Sequence, residues 1–399
     1  MTHDTDIPQG YKATALGVIP QKWEVKFLGD LLSRCTNGLT YDVSITCGIP
    51  VTRIETISTG EINYAKVGYI PNESGYETFR MQKGDILYSH INSLSQIGKV
   101  AYYKGDKEIY HGMNLLLLRA NESLDKQYLY YTLLTDHMRH MAQVIAKPAV
   151  NQASISTSDL KRVKIAVPPL AEQRKIAEVL GVWDEAIEKQ ARLIEKLALR
   201  KRGLMQRLLS AKLRLPGFSD PWKELKINKI TIIRKGEQVN KDVLFSNAKY
   251  PVINGGITPS GYLDIYNTKA NTITISEGGN SCGYVNFMTT PFWSGGHCYT
   301  IEAKDGINNL CIYQLLKNNE KYIMSLRVGS GLPNIQIKDL GNLKFMIPTY
   351  QEQTAIAEVL TASDREIELA KEKLERLRRQ KRGLMQQLLT GKKRVKYGN

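Results

Sequence analysis

Several motifs of the 399-residue chain contain residues that do chemistry in other proteins, and each lacks a neighbour that its chemistry needs. The glycine-rich stretch 277–284, EGGNSCGY, has the composition of a phosphate-binding loop, but no Gly-Lys-Ser/Thr follows to bind phosphate and magnesium. Glu302-Ala303-Lys304 matches the end of a nuclease carboxylate–lysine motif, but no convincing Asp-bearing partner precedes it. The prolines at 168–169 lack the Asn or Asp and the aromatic residue that flank such a pair in amino-methyltransferases. We therefore predict that the chain has no catalytic residue.

The histidines and cysteines do not form a metal-ligand pattern. His137 and His140 stand three residues apart on a predicted helix, without a third ligand in sight. The five cysteines are scattered, odd in number and without a CxxC pair, and Cys282 and Cys298 are no exception. We expect no structural zinc, no metal site and a reducing, cytoplasmic environment. No apolar run is long enough to span a bilayer, and the polar N-terminus is not a signal peptide, so we expect no membrane contact.

Polar and aromatic loops offer a different chemistry, the reading of nucleic acid. Asn and Gln can bond adenine edges in two places, Arg and Lys can bond guanine, and Ser, Tyr and glycine-rich backbone can hold phosphates. Loops are rich in Gly, Ser and Asn in any protein, so each assignment rests on one residue type at one place. The candidate DNA-binding residues are Arg53, His90, Asn92, Ser93, Lys147, Asn151 and Gln152 in the first half, and Asn254, Lys269, Asn280, Ser281, Tyr284 and His297 in the second.

The charge of the chain supports a polyanionic partner. The formal net charge is +16, and two short segments hold much of it. Segment 168–215 has 11 basic and 6 acidic residues, a net +5, and segment 348–399 has 12 and 7, also a net +5. Solvated helix faces are often rich in Lys and Arg, which is the simpler interpretation. The nucleic-acid interpretation adds DNA backbone or partner contacts at the tail 392–396 and at Arg200, Lys201, Arg202, Lys381 and Arg382.

These basic segments are copies of one another. KRGLMQ occurs at 201–206 and at 381–386, an offset of 381 − 201 = 180, and the stretches 172–209 and 352–389 share 20 identical positions. Each follows a proline and contains none, as a long helix requires. Apolar residues recur in steps of four and three from Ile176 and Ile356, which predicts a coiled-coil seam in each helix, about 50 Å long. Two such helices in one chain can bury their seams against each other.

The repeat extends beyond the helices. Segment 154–168 aligns with 334–348, and the surroundings of Trp23 match those of Trp222. Between these landmarks we predict mixed α and β structure, with strands at 49–57, 84–91, 98–105, 113–120, 250–256, 271–279, 282–287 and 297–303 and helices at 126–141 and 309–327. The centres of the two halves hardly align. The predicted order is a globular domain at 1–167, a helix at 168–215, a second domain at 216–347, and a helix with a basic tail at 348–399.

This architecture, with particular phrases, resembles the specificity subunit of Type I restriction–modification systems. The phrases are GIPVTRIETISTGEINY at 48–64, KGDILYSHINSLSQIGKVAYY at 83–103, YPVINGGITPSGYLDIYN at 250–267, NTITISEGGNSCGYVNF at 271–287, and the helix openings PPLAEQRKIAEVL and PTYQEQTAIAEVL. The resemblance covers almost the whole chain.

The resemblance implies an α+β fold with two target recognition domains, two long antiparallel coiled-coil helices and a pseudo-two-fold duplication. Each domain would read one half of a bipartite, asymmetric site on double-stranded DNA. The helices would carry two methyltransferase subunits, through residues such as Glu172, Gln173, Glu352 and Gln353, and two restriction subunits would join. The chain itself would need no cofactor, since S-adenosylmethionine binds the methyltransferase subunits, and ATP and Mg²⁺ the restriction subunits.

Two other classes stay open on the residues alone. A stand-alone nuclease or methyltransferase would modify or cut DNA as the purified chain. A coiled-coil adaptor without a DNA role would show no salt-dependent binding to duplex DNA. The duplicated helices add a geometric expectation: lengthening one of them by a heptad should lengthen the tolerated gap between half-sites.

Overall fold

The computed structural model describes residues 7–149, 152–329 and 333–396. The chain divides into two compact units. Unit 1 combines Met1–Lys189 with Leu374–Asn399, and unit 2 is Gln190–Lys373. Each unit therefore contains one globular domain, the first part of the helix that follows it, and the last part of the other long helix. This division cuts through both helices rather than between domain and helix.

The globular part of unit 1 is built on a four-stranded antiparallel sheet with strand order β4-β10-β7-β9. This unit also contains the smaller sheets β11-β12-β8, β13-β3, β1-β2 and β5-β6. The strands are β1 (Tyr11–Thr14), β2 (Gly17–Pro20), β3 (Glu24–Phe27), β4 (Leu32–Asn37), β5 (Ile49–Val51), β6 (Gly68–Ile70), β7 (Ile86–Tyr88), β8 (Ile91–Asn92), β9 (Val100–Tyr102), β10 (Leu116–Ala120), β11 (Lys147–Ala149), β12 (Gln152–Ser154) and β13 (Lys164–Val167). The helices are α1 (Lys126–Leu133), α2 (Asp136–Ile145), α3 (Thr157–Lys161) and α4 (Leu170–Leu208), with 3₁₀ turns at Leu28–Leu31, Ile54–Ile57 and Glu77–Phe79.

Unit 2 repeats this design with the strand order β15-β21-β18-β19 in its main sheet. A three-stranded sheet, β17-β16-β20, and the pair β14-β22 complete it. The strands are β14 (Lys223–Lys226), β15 (Thr231–Lys235), β16 (Tyr250–Ile253), β17 (Gly261–Leu263), β18 (Thr272–Ser276), β19 (Val285–Met288), β20 (Trp293–Ser294), β21 (Cys298–Ala303) and β22 (Lys344–Ile347). The helices are α5 (Ile227–Ile230), α6 (Asn309–Asn318), α7 (Glu320–Ser325), α8 (Ile337–Asn342) and α9 (Tyr350–Leu389), with a 3₁₀ turn at Lys241–Val243.

The two main sheets correspond strand by strand, although their sequences hardly align. In unit 1 Leu116 pairs with Tyr88, and in unit 2 Tyr299 pairs with Ile275 at the equivalent place. Just beyond these pairs, the amide of Gly98 donates to the carbonyl of Ser89, as the amide of Gly283 does to Ser276, both at 2.8 Å. The duplication of the fold therefore includes the main sheet even where the sequence has diverged, although the smaller sheets of the two units differ.

Some predicted elements differ from those found. The helix predicted at 126–141 is two helices, because the Thr135 hydroxyl accepts a hydrogen bond from the amide of Met138 and starts α2 afresh. The helix predicted at 309–327 is likewise divided, at Asn319. The strand predicted at 49–57 stops at Val51, because the Arg53 amide donates to the Thr56 hydroxyl and the chain turns into a 3₁₀ helix. The remaining predicted strands each overlap a shorter observed strand.

Both long helices are present, and each begins at the proline-rich junction that the sequence predicted. Gln173 fixes the first of these junctions: its Nε2 donates to the carbonyl of Pro168 (2.9 Å) and its Oε1 accepts from the amide of Asp125 (2.8 Å). Gln353 makes the same pair of bonds, to Pro348 (2.9 Å) and Asn308 (2.8 Å). The two glutamines thus tie α4 to the start of α1, and α9 to the start of α6.

The helical seams are part of the unit cores. In unit 1, Ile176 and Leu180 from early α4 are fully buried in one cluster with Leu388 from late α9. In unit 2, Ile356 and Leu360 from early α9 are buried with Leu208 from late α4. Since the early part of one helix meets the late part of the other, the helices run antiparallel within each unit. No helix in the described part of the chain is long and apolar enough to cross a membrane.

Candidate nucleic-acid interface

The predicted reader residues of unit 1 are gathered mainly on the small sheet β11-β12-β8. Ala153 pairs with Asn92, and Lys147 pairs with Ser154, so the register places Asn92, Gln152 and Lys147 on three adjacent strands. Gln152 and Ser93 are exposed, and Lys147 is exposed beside Asp159, whose carboxylate lies 3.4 Å from its Nζ. Asn151 falls outside the described residues. Gln152 and Lys147 therefore offer an amide and an ammonium on adjacent strands, and Ser93 offers a hydroxyl just after β8, whereas the Asn92 amide bonds locally to Ser89 and Ser93.

Two predicted readers of unit 1 lie elsewhere. Arg53 precedes the 3₁₀ helix Ile54–Ile57, and its Nε is 3.4 Å from a carboxylate oxygen of Glu55. His90 is only 5% exposed, and its Nδ1 has no hydrogen-bond partner among the described residues. Burial lowers the pKa of His90 to about 4, so its imidazole is neutral at neutral pH. In this structure the His90 ring does not reach the surface.

The predicted readers of unit 2 lie on loops at one end of the main sheet, except for Lys269, which precedes β18 and so lies at the other end. Asn254 accepts a hydrogen bond from the amide of His297 (3.0 Å), and the Ser281 hydroxyl donates to the carbonyl of Gly255. Asn280 and Lys269 are exposed. The Tyr284 ring is partly covered by the ammonium of Lys317, 4.3 Å from its centroid. Asn254 and Ser281 therefore shape the loops, while Asn280 and His297 present their side chains to solvent.

The basic residues of the helices divide into paired and outward-facing groups. Lys201 donates to Asp364 and Lys381 donates to Asp184, each at 2.5 Å, and both lysines are about an eighth exposed, at 12% and 13%. Arg200 pairs with Glu366. Arg202 and Arg382 are exposed. The two lysines predicted to contact DNA are therefore paired with carboxylates of the other long helix.

The four residues predicted to contact a partner protein are instead buried inside the units. Glu172, Gln173, Glu352 and Gln353 are at most 2% exposed. Glu172 accepts hydrogen bonds from Trp23 Nε1 (3.1 Å) and from Arg394. In unit 2, Glu352 accepts from Trp222 Nε1 (3.0 Å) and from Arg214. In this structure these side chains join the start of each domain to a long helix and to the tail of the other helix, and they are not available to a partner.

The residues that clasp each unit were not identified as such from the sequence. They are Arg214 and Arg394, which stand at the same repeat position because 394 − 214 = 180, and Asp184 and Asp364, separated by the same offset. Polar residues that recur at the repeat offset within or just after an apolar seam were the available signal. The predicted DNA role of the tail 392–396 accordingly excludes Arg394 in this structure, because its guanidinium faces Glu172.

No group of three or more His, Cys, Asp or Glu side chains in the described ranges could hold a metal ion. What the site offers is therefore hydrogen-bonding loops, exposed cations and a twofold-repeated support. Such a set can bind a polyanion and discriminate base edges.

Comparison with known proteins points to one family. A family model described as Type I restriction modification DNA specificity domain matches residues 20–198 and 219–379. The putative type I restriction enzyme MjaX specificity subunit of Methanocaldococcus jannaschii is 35% identical over 418 residues, covering 97% of each chain. The MjaVIII specificity subunit of the same organism is 24% identical and covers 96% of this chain and 95% of its own. The crystal structure of the Type-I restriction-modification S subunit from M. genitalium has the same fold, with a TM-score of 0.62, 21% identity, and coverage of 92% and 96%.

Proposed function

The chain belongs to the DNA specificity family of Type I restriction–modification systems, and from this premise we propose that each of its units reads one half of a bipartite site on double-stranded DNA. The observation that carries the proposal is the repeated support: in both units the same Trp–Glu–Arg cluster fixes the domain to the long helices, while the exposed polar side chains differ between the units. The family match over most of the chain favours neither the stand-alone enzyme nor the adaptor.

Different loop residues on equivalent supports favour different half-sites. Unit 1 offers Asn92 and Gln152 on paired strands and Ser93 just after one of them, and unit 2 offers Asn280 and His297 on loops. Because donors and acceptors in the major groove identify each base pair, unlike side chains select unlike sequences. The recognised site is therefore asymmetric.

The same duplication supports two copies of each partner. Arg202 and Arg382 are exposed at equivalent positions of α4 and α9, so the helices offer two equivalent basic surfaces. We assign these surfaces to two methyltransferase subunits, with two restriction subunits completing the complex. S-adenosylmethionine would bind the methyltransferase subunits, and ATP and Mg²⁺ the restriction subunits, so this chain would contribute recognition and assembly alone. A solved structure with the same fold concerns complex assembly and conformational transition of the type I R-M system.

The test is to express the chain with its cognate methyltransferase subunit in cells whose DNA is otherwise unmethylated, and to sequence the modified bases. We expect methylation at one asymmetric motif consisting of two short half-sites separated by a gap of fixed length. Co-expression without this chain is the control and should give no motif. Methylation at a single uninterrupted motif, or none with the assembled complex, would contradict the proposal.

A further inference from the structure

One nearly buried carboxylate in unit 2 organises the loops at the end of the main sheet. Glu277 directly follows β18 and is 12% exposed. Its Oε1 accepts hydrogen bonds from Lys235 Nζ (2.5 Å) and from the Tyr299 hydroxyl (3.0 Å). Its Oε2 lies 3.4 Å from His297 Nδ1. The end of β15, the end of β18 and the loop before β21 therefore converge on a single side chain.

The backbone around Glu277 is equally fixed. Its amide donates to the carbonyl of His297 and its carbonyl accepts from the amide of Ile335, both at 2.9 Å. The Tyr299 hydroxyl also lies 3.0 Å from the carbonyl of Ile335. Burial by itself would raise the pKa of Glu277, but hydrogen bonds from Lys235 and Tyr299 reverse this effect and hold the pKa below its usual value. The Glu277 carboxylate is thus ionised, and hydrogen bonds fix both its side chain and its backbone.

The two side chains that Glu277 holds project outward. The side chains of Lys235 and His297 are 52% and 62% exposed, although the carboxylate they share is nearly buried. An ammonium has more N–H donors than the bond to Glu277 uses, so Lys235 can still donate. A carboxylate beside Nδ1 favours the histidine tautomer with its proton on Nδ1, which leaves Nε2 as an acceptor. The pair presents one donor and one acceptor on the same carboxylate support.

Among its described residues, unit 1 has no such cluster at the equivalent place. The carbonyl of His90 accepts from the amide of Ile155 (2.8 Å), as the carbonyl of Glu277 does from Ile335, so His90 and Glu277 occupy matching positions. The sheet register also matches Lys235, opposite Tyr299, with Asn37, opposite Leu116. A buried neutral imidazole thus replaces the carboxylate, and an amide replaces the ammonium. The feature is particular to unit 2.

We propose that Glu277 is a positioning residue that holds Lys235 and His297 to read one G·C pair in the half-site of unit 2. The Lys235 ammonium donates to guanine O6 or N7, and His297 Nε2 accepts from the cytosine amino group. This assignment rests on the proposed DNA-reading function. It adds Lys235 to the reader residues, gives Glu277 the role of holding Lys235 and His297 in place, and assigns one base pair to these two side chains.

The test uses the chain assembled with its methyltransferase subunits and a panel of duplexes in which each base pair of both half-sites is replaced in turn. With Glu277→Gln, Lys235→Ala and His297→Ala, we expect roughly a tenfold loss of discrimination at one G·C position of a single half-site. The other half-site should keep its wild-type preferences. Glu302→Gln is the matched control, since Glu302 forms an exposed ion pair with Arg234 (2.9 Å), the residue next to Lys235.

The outcomes separate the two claims. Unchanged preference at every position, or an equal weakening for all sequences, would overturn the role of the cluster while leaving DNA recognition intact. A wild-type complex with no sequence preference would instead overturn the proposed function. Thermal unfolding of each variant is measured alongside, and if Glu277→Gln does not fold, the exposed Lys235 and His297 variants decide the question.

Discussion

Arg394 binds both carboxylate oxygens of Glu172, with its Nε 2.5 Å from Oε1 and its Nη2 2.7 Å from Oε2. The two residues are separated by most of the chain, yet both belong to unit 1. Arg214 and Glu352 repeat the arrangement in unit 2, at 2.6 and 2.8 Å. The arginine that follows each long helix therefore binds a glutamate in the first turn of the other long helix.

Removing this guanidinium should destabilise unit 1. Arg394→Met leaves the fully buried Glu172 carboxylate without its cation, and breaking a buried pair from one side costs about 3–5 kcal/mol. We expect a loss in this range in the free energy of unfolding, measured by hydrogen exchange of amides in unit 1. Arg378→Met is the control, because Arg378 pairs with Glu375 on an exposed helix face and such pairs contribute under about 1 kcal/mol. Equal effects of the two substitutions would show that the buried clasp has no special role.

Lys381 and Asp184 should be energetically coupled. Lys381 is nearly buried, its Nζ is 2.5 Å from Asp184 and 5.0 Å from the centroid of the Tyr131 ring, and the Tyr131 hydroxyl donates to the same carboxylate at 2.7 Å. Burial and this hydrogen bond raise the pKa of Tyr131, so the phenol stays protonated and continues to donate. A double-mutant cycle with Lys381→Met and Asp184→Asn should give a coupling of about 1–3 kcal/mol in denaturant unfolding. Additive effects of the two substitutions would contradict it.

Unit 1 should lose stability on mild acidification because of two buried histidines. Burial lowers the pKa of His90 and of His111 from 6.5 to about 4, with Arg34 and His90 adding to the effect at His111 and Asp85 and the Leu115 carbonyl opposing it. The unfolded chain then binds protons that the folded unit does not, so the stabilisation present above pH 6.5 is lost as the pH falls to about 4. The expected loss is about 3 kcal/mol for each histidine.

The check compares unfolding free energies of the wild type and the double variant His90→Gln, His111→Gln at about pH 7.5 and pH 5. The variant has no imidazole to protonate at these positions, so its stability should fall less between the two pH values. Parallel losses in both proteins would show that other groups cause the acid sensitivity.

The gap between half-sites should lengthen when both helices are extended together. Each unit uses contacts between early and late helix segments, so a heptad is needed between Asp184 and Lys201 and another between Asp364 and Lys381 to preserve both ion pairs. Extending one helix alone would displace Lys201 or Lys381 from its partner. The paired insertion adds about 10 Å of helix. Methylation mapping should show unchanged half-sites with a longer preferred gap, and an unchanged gap in a folded variant would show that the helices do not set the gap length.

Gln152 and Lys147 should differ in what their loss does to DNA binding. Gln152→Ala should cost about 1–3 kcal/mol at one position of the half-site of unit 1, because an amide can read a base edge. Lys147→Ala should weaken binding to all sequences alike and lower the slope of log affinity against log salt by about one. Binding titrations at several salt concentrations separate these effects, and a Gln152 variant that weakens all sequences equally would exclude it as a base reader.

The sequence by itself determined the duplication, the two long helices and their seams. Helical periodicity and the proline boundaries are local properties, so Ile176, Leu180, Ile356 and Leu360 could be placed on buried faces without knowing what covers them. The strand-rich character of both domains followed in the same way. The capping residue Thr135 was a weaker sequence signal than the continuous apolar pattern around it, so the break between α1 and α2 was not predicted.

Only the tertiary structure decided which charged side chains form ion pairs inside the protein. By residue type and position, Lys201 and Lys381 were predicted to contact DNA, and Glu172 and Glu352 to contact a partner protein. In the structure each of them forms an ion pair with a residue of opposite charge far away in the chain. Whether a charged side chain is buried and paired depends on which segments fold together, and a single sequence does not show which distant segments come into contact. For the same reason the equivalence of His90 and Glu277 emerged from strand register rather than from alignment.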